Sequence, residues 1–512
     1  MFDATHRTCL ILYALVGALL LVYAAGAFVV GPSMTSDSAW GFLVLDSMTD
    51  GAPFNQWTEP DPDDIAEDHQ TFQAAWAPGQ YLLPAAAERL GFTLGAATNV
   101  VTLIFSALGL LGWHRLYRAW GFPPLSCAMA LAVIAGGKLF ALPFGIYNGG
   151  EVLLFGTLPW FTLLLWKARA LRPAQAVAIG LGVVVLVFVK LSGLVFGLAA
   201  LAAIAAPDLW PSPVVKMRRP VTAFAIALVV SGAFYVCWTS RGWTAADVQG
   251  LHPERLLTHA AAGVSAALTS MLSLGDLAAR VFTGLNDPIL PSLDPIYIAA
   301  SVPALALLFF VSRRLRPSFP DYLRFALTLS AIYIAVLTIV YVVDGAIIVE
   351  DRHYRPIGLV LLIGVVHVLA AVRGPGRVAV IGVAALSFTY GVASYANHLK
   401  ENLAHPRSER GFRYANLSRP VLDFLKSDPS LVGPRSVVVV PTPELRLDLR
   451  HARVIVGDQV QTWHGRVDRL TVVLPNKYLE DGSANWLLGA FVDYDQAKWV
   501  KHSFEDFTWF VQ

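Results

Sequence analysis

The sequence predicts an α-helical polytopic membrane protein with about eleven transmembrane helices and a small extracytoplasmic α/β domain at its C-terminus. Hydrophobic residues make up 56% of the 512 residues and charged residues only 14%, whereas soluble proteins average about 45–50% and about 25%. The mean hydropathy is +0.57, and long apolar segments recur up to residue 394. Beyond that point the composition changes sharply and short β-rich runs appear. These observations exclude a soluble globular enzyme and a disordered chain.

The net charge and the cysteines exclude two further kinds of site. A formal net charge of +2 gives no indication of a nucleic-acid partner. The cysteines, Cys9, Cys127 and Cys237, lie in apolar stretches and form neither a CxxC pair nor a zinc spacing. We therefore expect neither a disulfide framework nor a thiolate metal site.

Eleven apolar segments are candidates for transmembrane helices, which need ~20 apolar residues to cross the ~30 Å hydrocarbon core. The first exceeds the ~7–15 apolar residues of a cleaved signal peptide, so we interpret it as a retained anchor. The two short segments that flank Lys190 could be two spans or one broken helix. The predicted spans are 9–30, 93–113, 124–143, 150–166, 175–189, 192–206, 221–238, 296–312, 325–343, 357–372 and 378–394.

The distribution of Lys and Arg predicts a cytoplasmic N-terminus and an extracytoplasmic C-terminal domain. Cytoplasmic loops are enriched in these residues, and in this orientation every inner loop is short and basic. The outer segments are longer and hold most of the acidic residues. The basic residues of the inner loops are Arg115, Arg118, Lys167, Arg169, Arg172, Lys216, Arg218, Arg219, Arg313, Arg314, Arg316, Arg324, Arg373 and Arg377.

The Ala-, Arg- and Val-rich composition indicates a bacterial plasma membrane.

The chain divides into a transmembrane domain, 1–394, and an extracytoplasmic domain, 395–512. Two outer loops of the first domain, 31–92 and 239–295, are large enough to contribute to a functional site. In the second domain β-rich runs are separated by polar, helix-like stretches, which is typical of an α/β domain with a partly parallel sheet. The β-rich runs are 436–440, 453–456, 469–474 and 507–511.

Asp37 is the first candidate site residue, because ionisable groups near membrane depth are costly and therefore functional candidates. It begins a stretch whose apolar residues recur at helical spacing, so we expect an amphipathic helix along the outer surface of the membrane. Asp37 or Ser36 could be the N-cap of this helix, and a catalytic role for Asp37 is equally compatible with the sequence.

The acidic run at 61–68 is expected to be a mobile, solvated loop, because it lacks the ligand spacing of an EF-hand.

Glu151, Lys190 and Lys138 are three further ionisable residues within or beside apolar spans. Glu151 lies at the start of the fourth span, where the helix dipole alone could explain a carboxylate. Lys190 has apolar residues on both sides, so it must snorkel to the interface or pair with an anion. Lys138 is a weaker case of the same kind.

The segment VEDRHYRP, 349–356, concentrates charge immediately before the tenth span. A solvated loop with local ion pairs would account for it. Alternatively, Arg guanidinium groups hold phosphate oxygens through a bidentate fork, which favours an anion site at the outer interface. The charged and titratable residues are Glu350, Asp351, Arg352, His353 and Arg355.

Four short motifs and their order along the chain resemble those of a known family. In the first outer loop, Asp37 is followed by a helix, by Gly51-Ala52-Pro53 and by APGQYLLP at 77–84. Glu151 begins the fourth span, FVKLSGL separates two adjacent spans, and EDRHYRPIGLVLLIG begins a late one. This ordered set, with a C-terminal outer α/β domain, resembles the GT-C membrane glycosyltransferases of the protein O-mannosyltransferase and aminoarabinose-transferase-like superfamily.

The resemblance implies a GT-C-like fold and a glycosyltransferase that moves a hexose or pentose from a polyprenyl-phosphate carrier to an acceptor at the outer face, with inversion. It implies that Asp37 is the general base. The implied partners are the lipid-linked donor, membrane lipids and an acceptor that is a glycolipid, a polysaccharide or a protein. No feature of the sequence requires a cofactor, although Glu151 could help to hold a divalent cation. The implied residues that bind the donor phosphate or sugar are Lys138, Glu151, Lys190, Arg352, Tyr354 and Arg355.

Two other classes of function stay open at this point. A lipid or glycolipid flippase or exporter would use Asp37 and Glu151 along a transport path. Such proteins usually have internal repeats and charges near the midplane, and we see no repeat in this sequence. A noncatalytic cell-envelope assembly protein would not need Lys190 or the charged segment 349–356, and Asp37→Asn would then be silent.

Overall fold

A computed structural model describes most of the chain and shows a mainly helical protein with a small mixed sheet. The described residues are 4–168, 172–206, 218–242, 250–277, 294–343, 350–414, 419–431, 433–449, 452–457, 461–480, 482–504 and 507–512. The helices of these ranges are α1 Ala4–Val30, α2 Ser36–Thr49, α3 Gly79–Glu88, α4 Leu94–Ala119, α5 Pro124–Gly136, α6 Lys138–Ala141, α7 Gly150–Lys167, α8 Pro173–Val189, α9 Gly193–Ala205, α10 Arg218–Cys237, α11 Leu256–Thr269, α12 Asp294–Leu315, α13 Pro320–Val343, α14 Asp351–Ala370, α15 Pro375–Ala404, α16 Arg419–Ser427, α17 Pro443–Arg446, α18 Lys477–Glu480 and α19 Ser483–Gly489. The strands are β1 Ser33–Met34, β2 Gln56–Pro60, β3 Asp68–Phe72, β4 Ile146–Tyr147, β5 Ser436–Val440, β6 Arg453–Val456, β7 Arg469–Pro475, β8 Val500–Phe504 and β9 Phe507–Val511.

The predicted polytopic membrane architecture is confirmed. Each of the eleven apolar segments is helical. Within the described ranges, seven helices are long and apolar enough to cross a membrane, or eight if one bent pair counts as a single span. That pair is α5 and the segment 138–144, which meet at 67°. The total of eleven spans stays a prediction.

Helices α8 and α9 form an antiparallel hairpin rather than one broken helix. The chain leaves the helical conformation at Lys190, whose φ and ψ are −161° and 133°. Gly193 then packs against the backbone of Leu186, and Gly197 packs against Val183. The hairpin places Lys190 at its tip.

The second predicted outer loop, 239–295, contains a packed helix. α11 is rich in alanine and buries Ala261, Ala262 and Ala266, and Gly263 lies against Ile334 of α13 and Tyr354 of α14. At 14 residues it is too short to be recognised as a span. The parts of this loop at 243–249 and 278–293 lie outside the described residues.

The C-terminal domain contains a five-stranded sheet in the order β6-β5-β7-β9-β8. β5 pairs in parallel with β6 and β7, whereas β9 pairs antiparallel with β7 and β8. The partly parallel sheet that the sequence predicts is therefore confirmed. The sequence does not reveal β8, because VKHSF is a polar edge strand whose first four residues are exposed. The preceding helix α15 extends beyond the predicted boundary at 394, to Ala404.

The first outer loop packs against the C-terminal domain, which contradicts the expectation of a mobile, solvated acidic run. β2 and β3 form an antiparallel hairpin around that run. At its centre Ile65 is fully buried in the core of the C-terminal domain, and Asp68 pairs with Arg453 at 2.8 Å. The backbone N–H of Ile65 also donates to the carbonyl of His464 at 2.9 Å. An apolar residue inside an acidic segment thus anchors the loop.

Helix α2 is buried on most of its sides and packs against the C-terminal domain, so the expectation of an amphipathic helix with a solvated face is wrong. Its residues Phe42 and Val44 are fully buried, in one cluster with Val438 and Val440 of the sheet. The N-cap is Thr35, whose Oγ1 accepts a hydrogen bond from the N–H of Ser38. Neither Ser36 nor Asp37 is needed as the cap.

Candidate active site

A short parallel ladder brings the first two outer loops together. β1 pairs with β4, so that Ser33 lies opposite Ile146 and Met34 opposite Tyr147. Asp37 comes three residues after this ladder on one strand, and Glu151 comes four residues after it on the other. Each lies in the first turn of the following helix, α2 or α7. Two carboxylates that are far apart in sequence therefore reach the same end of the helical bundle.

The two glycines before Glu151 allow the close packing around it. Gly149 has φ of +55°, and a Cβ there would lie 2.6 Å from Gln80 Oε1. A Cβ on Gly150 would lie 3.1 Å from the Lys190 side chain. Gly149 is favoured by its backbone conformation and by the space around it, and Gly150 allows the Lys190 side chain to approach closely.

Lys190 forms an ion pair with Glu151, which resolves the two interpretations of this lysine. The ammonium contacts Glu151 Oε1. The side chains are 21% and 10% exposed, so the pair is largely withdrawn from water. Lys190 therefore has an anionic partner, as a lysine inside an apolar region requires.

Arg352 connects this pair to Asp37. Its Nη1 lies 3.5 Å from Glu151 Oε1 and 3.7 Å from Asp37 Oδ2. Its Nε contacts Glu350. The described part of the charged segment, 350–356, is thus the N-cap and the beginning of α14 and not a solvated loop. The Arg352 guanidinium bridges three carboxylates.

Arg355 lies one turn further along α14. It is 5% exposed, and its guanidinium carbon lies 5.0 Å from the ring centre of Phe155. Its Nε is buried and has no hydrogen-bond partner among the described residues. A buried guanidinium donor without an acceptor is costly, so this side chain is suited to an incoming anion.

These side chains form one end of a shallow groove between α7 and α14, with a volume of about 20 Å³. Glu151, Leu154, Phe155 and Leu158 line it from α7 at spacings of three and four residues, which place them on one helical face. The lining of α14 follows the same spacing. Both faces begin with charged residues and continue with apolar ones. The residues from α14 are Arg352, Arg355, Pro356 and Leu359, and the hairpin tip adds Lys190 and Ser192.

Asp37 lies half-exposed at the mouth of this arrangement. Its side chain is 48% exposed, and the Trp76 side chain donates a hydrogen bond to it. Partial desolvation of the carboxyl raises the pKa of Asp37 above its usual range; the Arg352 charge opposes this and the Glu151 charge reinforces it. A carboxylate with a raised pKa that is open to solvent is suited to accept a proton.

Lys138 and Tyr354, which the resemblance implies as donor-binding residues, make their contacts elsewhere. Lys138 pairs with Asp276 and lies 3.5 Å from the Tyr390 hydroxyl. Asp351 belongs to this second cluster, because a Cβ on Gly275, next to Asp276, would lie 2.8 Å from its carboxylate. Tyr354 is fully buried against α11.

Sequence reasoning missed Trp76, Asp276 and the pairing role of Glu350. Asp276 could have been found as a lone carboxylate that follows the alanine-rich stretch of the second outer loop. Trp76 precedes APGQYLLP, so its position in that motif was the available signal. Among the described residues no group of three or more His, Cys, Asp or Glu side chains could hold a metal ion.

Comparisons with known proteins identify the fold. No family model matches the sequence, and no curated protein matches it. Among solved structures the chain is similar to ArnT from Cupriavidus metallidurans bound to undecaprenyl phosphate, with a TM-score of 0.52, 12% identity and coverage of 99% of this chain and 98% of that one. The apo state of the same protein gives a TM-score of 0.50, 13% identity and coverage of 97% and 98%. The chain therefore has the fold of ArnT over almost its whole length, in agreement with the GT-C-like architecture that the sequence predicts.

Proposed function

We propose that this protein is a membrane glycosyltransferase that transfers a sugar from a polyprenyl-phosphate carrier to an acceptor at the outer face of a bacterial plasma membrane. The observation that carries the proposal is the groove between α7 and α14. One end holds Lys190, Arg352 and Arg355, and the other is apolar. A polyprenyl-phosphate sugar has the same division between an anionic head and a hydrocarbon chain. The similar ArnT structure contains undecaprenyl phosphate, which has this chemistry.

The three cations are suited to stabilise the leaving group. When the bond between the sugar and the phosphate breaks, negative charge develops on the phosphate oxygen. Preorganised cations in a site of low dielectric stabilise that charge without reorganisation. Glu151 holds Lys190 and Arg352 in place before the donor arrives.

Asp37 is suited to activate the acceptor. In the proposed step its carboxylate takes the proton of an acceptor hydroxyl, the hydroxyl oxygen attacks the anomeric carbon, and the polyprenyl phosphate leaves from the opposite side. The bond to the phosphate breaks as the new glycosidic bond forms, so the configuration inverts. Arg352 lies 3.7 Å from Asp37, so the proton acceptor and the phosphate cations border the same space.

The polarity of the helices supports an outer-face reaction. The candidate site lies at the ends of α1 and α8 and the beginnings of α7 and α14, and α15 runs from the opposite side toward the C-terminal domain. Arg118 and Lys167 lie in the last turns of α4 and α7, and Arg373 follows the end of α14. Basic loops face the cytoplasm, so we place the site and the C-terminal domain outside.

Release of polyprenyl phosphate tests the proposal. The full chain in nanodiscs is incubated with a panel of polyprenyl-phosphate sugars and crude outer-face acceptors, and the released carrier is measured by mass spectrometry. We expect wild-type protein to consume one donor, and Asp37→Asn to reduce the rate by about 10²–10⁴-fold. Asp63→Asn is the matched control, since Asp63 is an exposed aspartate of the same outer loop and should keep the wild-type rate.

Each other outcome has a defined meaning. Equal rates for wild type and Asp37→Asn would remove Asp37 as the base and leave the transferase. No consumption of any donor by folded protein would contradict the transferase itself. Movement of an intact lipid-linked sugar across the bilayer would favour a flippase or exporter instead.

A further inference from the structure

A second cavity lies between the first outer loop and the C-terminal domain, and the proposed reaction does not use it. Its volume is about 400 Å³, within the ~300–1,000 Å³ of ligand pockets. The second half of α2, the β2–β3 hairpin and the segment from α17 to β6 line it. Its charged lining residues are Asp46, Asp50, Glu59, Asp68, Arg446 and Arg453.

Three of the four carboxylates in this cavity already have partners. Asp46 accepts two hydrogen bonds from Arg410, at 2.7 and 2.8 Å. Asp68 accepts two from Arg453, at 2.8 and 2.9 Å. Glu59 lies 3.8 Å from His69 Nε2 and accepts a hydrogen bond from the Trp57 side chain, so Asp50 and Arg446 remain to be explained.

Glu59 and Arg446 are charged groups that the fold buries beside the cavity. Glu59 is 7% exposed. Arg446 donates through Nη2 to the carbonyl of Thr58, but its Nη1 is buried without a hydrogen-bond partner in the described part of the chain. Burial raises the pKa of Glu59 and lowers the pKa of Arg446. The buried Nη1 donor of Arg446 is costly unless a ligand satisfies it.

The lining chemistry selects the class of ligand. Carboxylates outnumber guanidiniums four to two, so the cavity disfavours anions such as phosphates. Carboxylates accept hydrogen bonds from hydroxyl groups, and guanidinium groups donate to hydroxyl or ring oxygens. We propose that this cavity binds uncharged sugar residues of the acceptor, which makes the acceptor a glycan.

The cavity is separate from the proposed donor groove. Asp37 is in the first turn of α2, and Asp46 follows on the same helix at a distance of roughly 14 Å along its axis. The groove between α7 and α14 shares no lining residue with this cavity. Asp46 follows Asp37 by about two and a half helical turns, so the two side chains lie on opposite sides of α2, and a bound glycan reaches Asp37 only if it extends around the helix over several sugar residues. The assignment of the bound glycan as the acceptor rests on the proposed function, whereas binding of a glycan in this cavity does not.

Binding of labelled oligosaccharides tests the inference separately from catalysis. The full chain in nanodiscs, without donor, is titrated with fluorescent gluco-, galacto- and manno-oligosaccharides, and with oligosaccharides of equal length that contain uronic acids. We expect a neutral oligosaccharide to bind and its uronic-acid counterpart to bind at least about tenfold more weakly. Ala52→Phe, which fills the cavity without changing its charge, and Glu59→Gln should each weaken binding by about tenfold or more. Asp63→Asn is the control and should bind as wild type does.

The results separate this inference from the proposed function. The inference is overturned if no neutral oligosaccharide binds, if uronic acids bind more tightly, or if both cavity variants bind normally with wild-type melting temperatures. Donor consumption without oligosaccharide binding would overturn it and leave the transferase intact. Oligosaccharide binding that only the cavity variants weaken, in protein that consumes no donor, would support the glycan site and contradict the transferase.

Discussion

Arg352 Nη1 lies 3.7 Å from Asp37 Oδ2, although the two residues come from the first and the last outer segments of the transmembrane domain. The contact joins the proposed proton acceptor to the proposed phosphate cations. Arg352 also lies 3.5 Å from Glu151, so its position depends on both carboxylates. The charged side chains of the candidate site therefore interact with one another, and we expect a substitution of one to change the position or the pKa of the others.

The first prediction concerns stability without donor. Glu151 pairs with Lys190 and lies beside Arg352, so Glu151→Gln leaves the Lys190 ammonium without this partner in a mostly buried site, whereas Arg352 keeps Glu350 and Asp37. Removing one partner of a buried ion pair costs about 3–5 kcal/mol. We expect a lower melting temperature for Glu151→Gln than for Lys190→Met, because Glu151 keeps Arg352 as a partner in the second variant. Added polyprenyl phosphate should raise the melting temperature of Glu151→Gln more than that of wild type. Equal increases in the two melting temperatures would contradict a phosphate site here.

The second prediction concerns the two arginines. Arg352→Gln and Arg355→Gln should each lower kcat by about 10²–10³-fold, because each removes a cation from the developing phosphate charge. Steady-state rates with the consumed donor measure this. Arg373→Gln, beyond the other end of α14, is the matched control. An increase of KM alone, with kcat unchanged, would assign the arginines to ground-state binding only.

The third prediction concerns pH. The pKa of Asp37 is raised above an ordinary aspartate value of about 3.9, and only the deprotonated carboxylate can accept a proton. The rate should therefore fall as the pH decreases through this raised pKa and should be constant above it. Arg352→Gln removes the charge that opposes the shift, so the acidic limb of its kcat/KM profile should move to higher pH. If the acidic limb of the kcat/KM profile is the same in Arg352→Gln and wild type, the group that titrates is not Asp37.

The fourth prediction concerns membrane orientation. In a variant with Cys9, Cys127 and Cys237 replaced by serine, a single cysteine at Asp63 should react with a membrane-impermeant maleimide in intact cells or spheroplasts. A cysteine at Arg373 should react only after permeabilisation, because we place that loop in the cytoplasm. The reverse pattern would invert the proposed topology and move the reaction to the inner face.

The fifth prediction concerns metal ions. Glu151 and Asp37 face Lys190 and Arg352, and these cations occupy the place where a metal would balance the phosphate charge. We expect removal of divalent cations by a chelator to leave the initial rate unchanged. A loss of activity that Mg²⁺ or Mn²⁺ restores would assign one of the carboxylates to a metal instead.

Local sequence information was sufficient for most of the fold. Runs of apolar residues identified the helical spans, and runs of β-branched residues identified four of the five strands of the C-terminal sheet. The spacing of Glu151, Leu154 and Leu158, repeated by Arg352, Arg355 and Leu359, also shows two matching helical faces in the sequence alone. Burial of such faces depends on the residues that form them, so composition and periodicity predict it.

Contacts between distant segments could not be predicted in this way. The sequence marks Lys138 and Lys190 as similar lysines, yet one pairs with Asp276 and the other with Glu151. It also describes the acidic run at 61–68 as solvated, because the docking of Ile65 depends on a partner surface in another domain. Ion pairs and docking surfaces require knowledge of which segments meet.

The sequence by itself thus determined the membrane class, the helical spans, the C-terminal sheet domain and most of the candidate site residues. Only the tertiary structure decided that the β1–β4 ladder and the α8–α9 hairpin bring Asp37, Glu151, Lys190 and Arg352 together. It also decided that a polar cavity lies beside α2. The physical reason is that apolar burial is encoded in each segment, whereas electrostatic interactions depend on distances between segments.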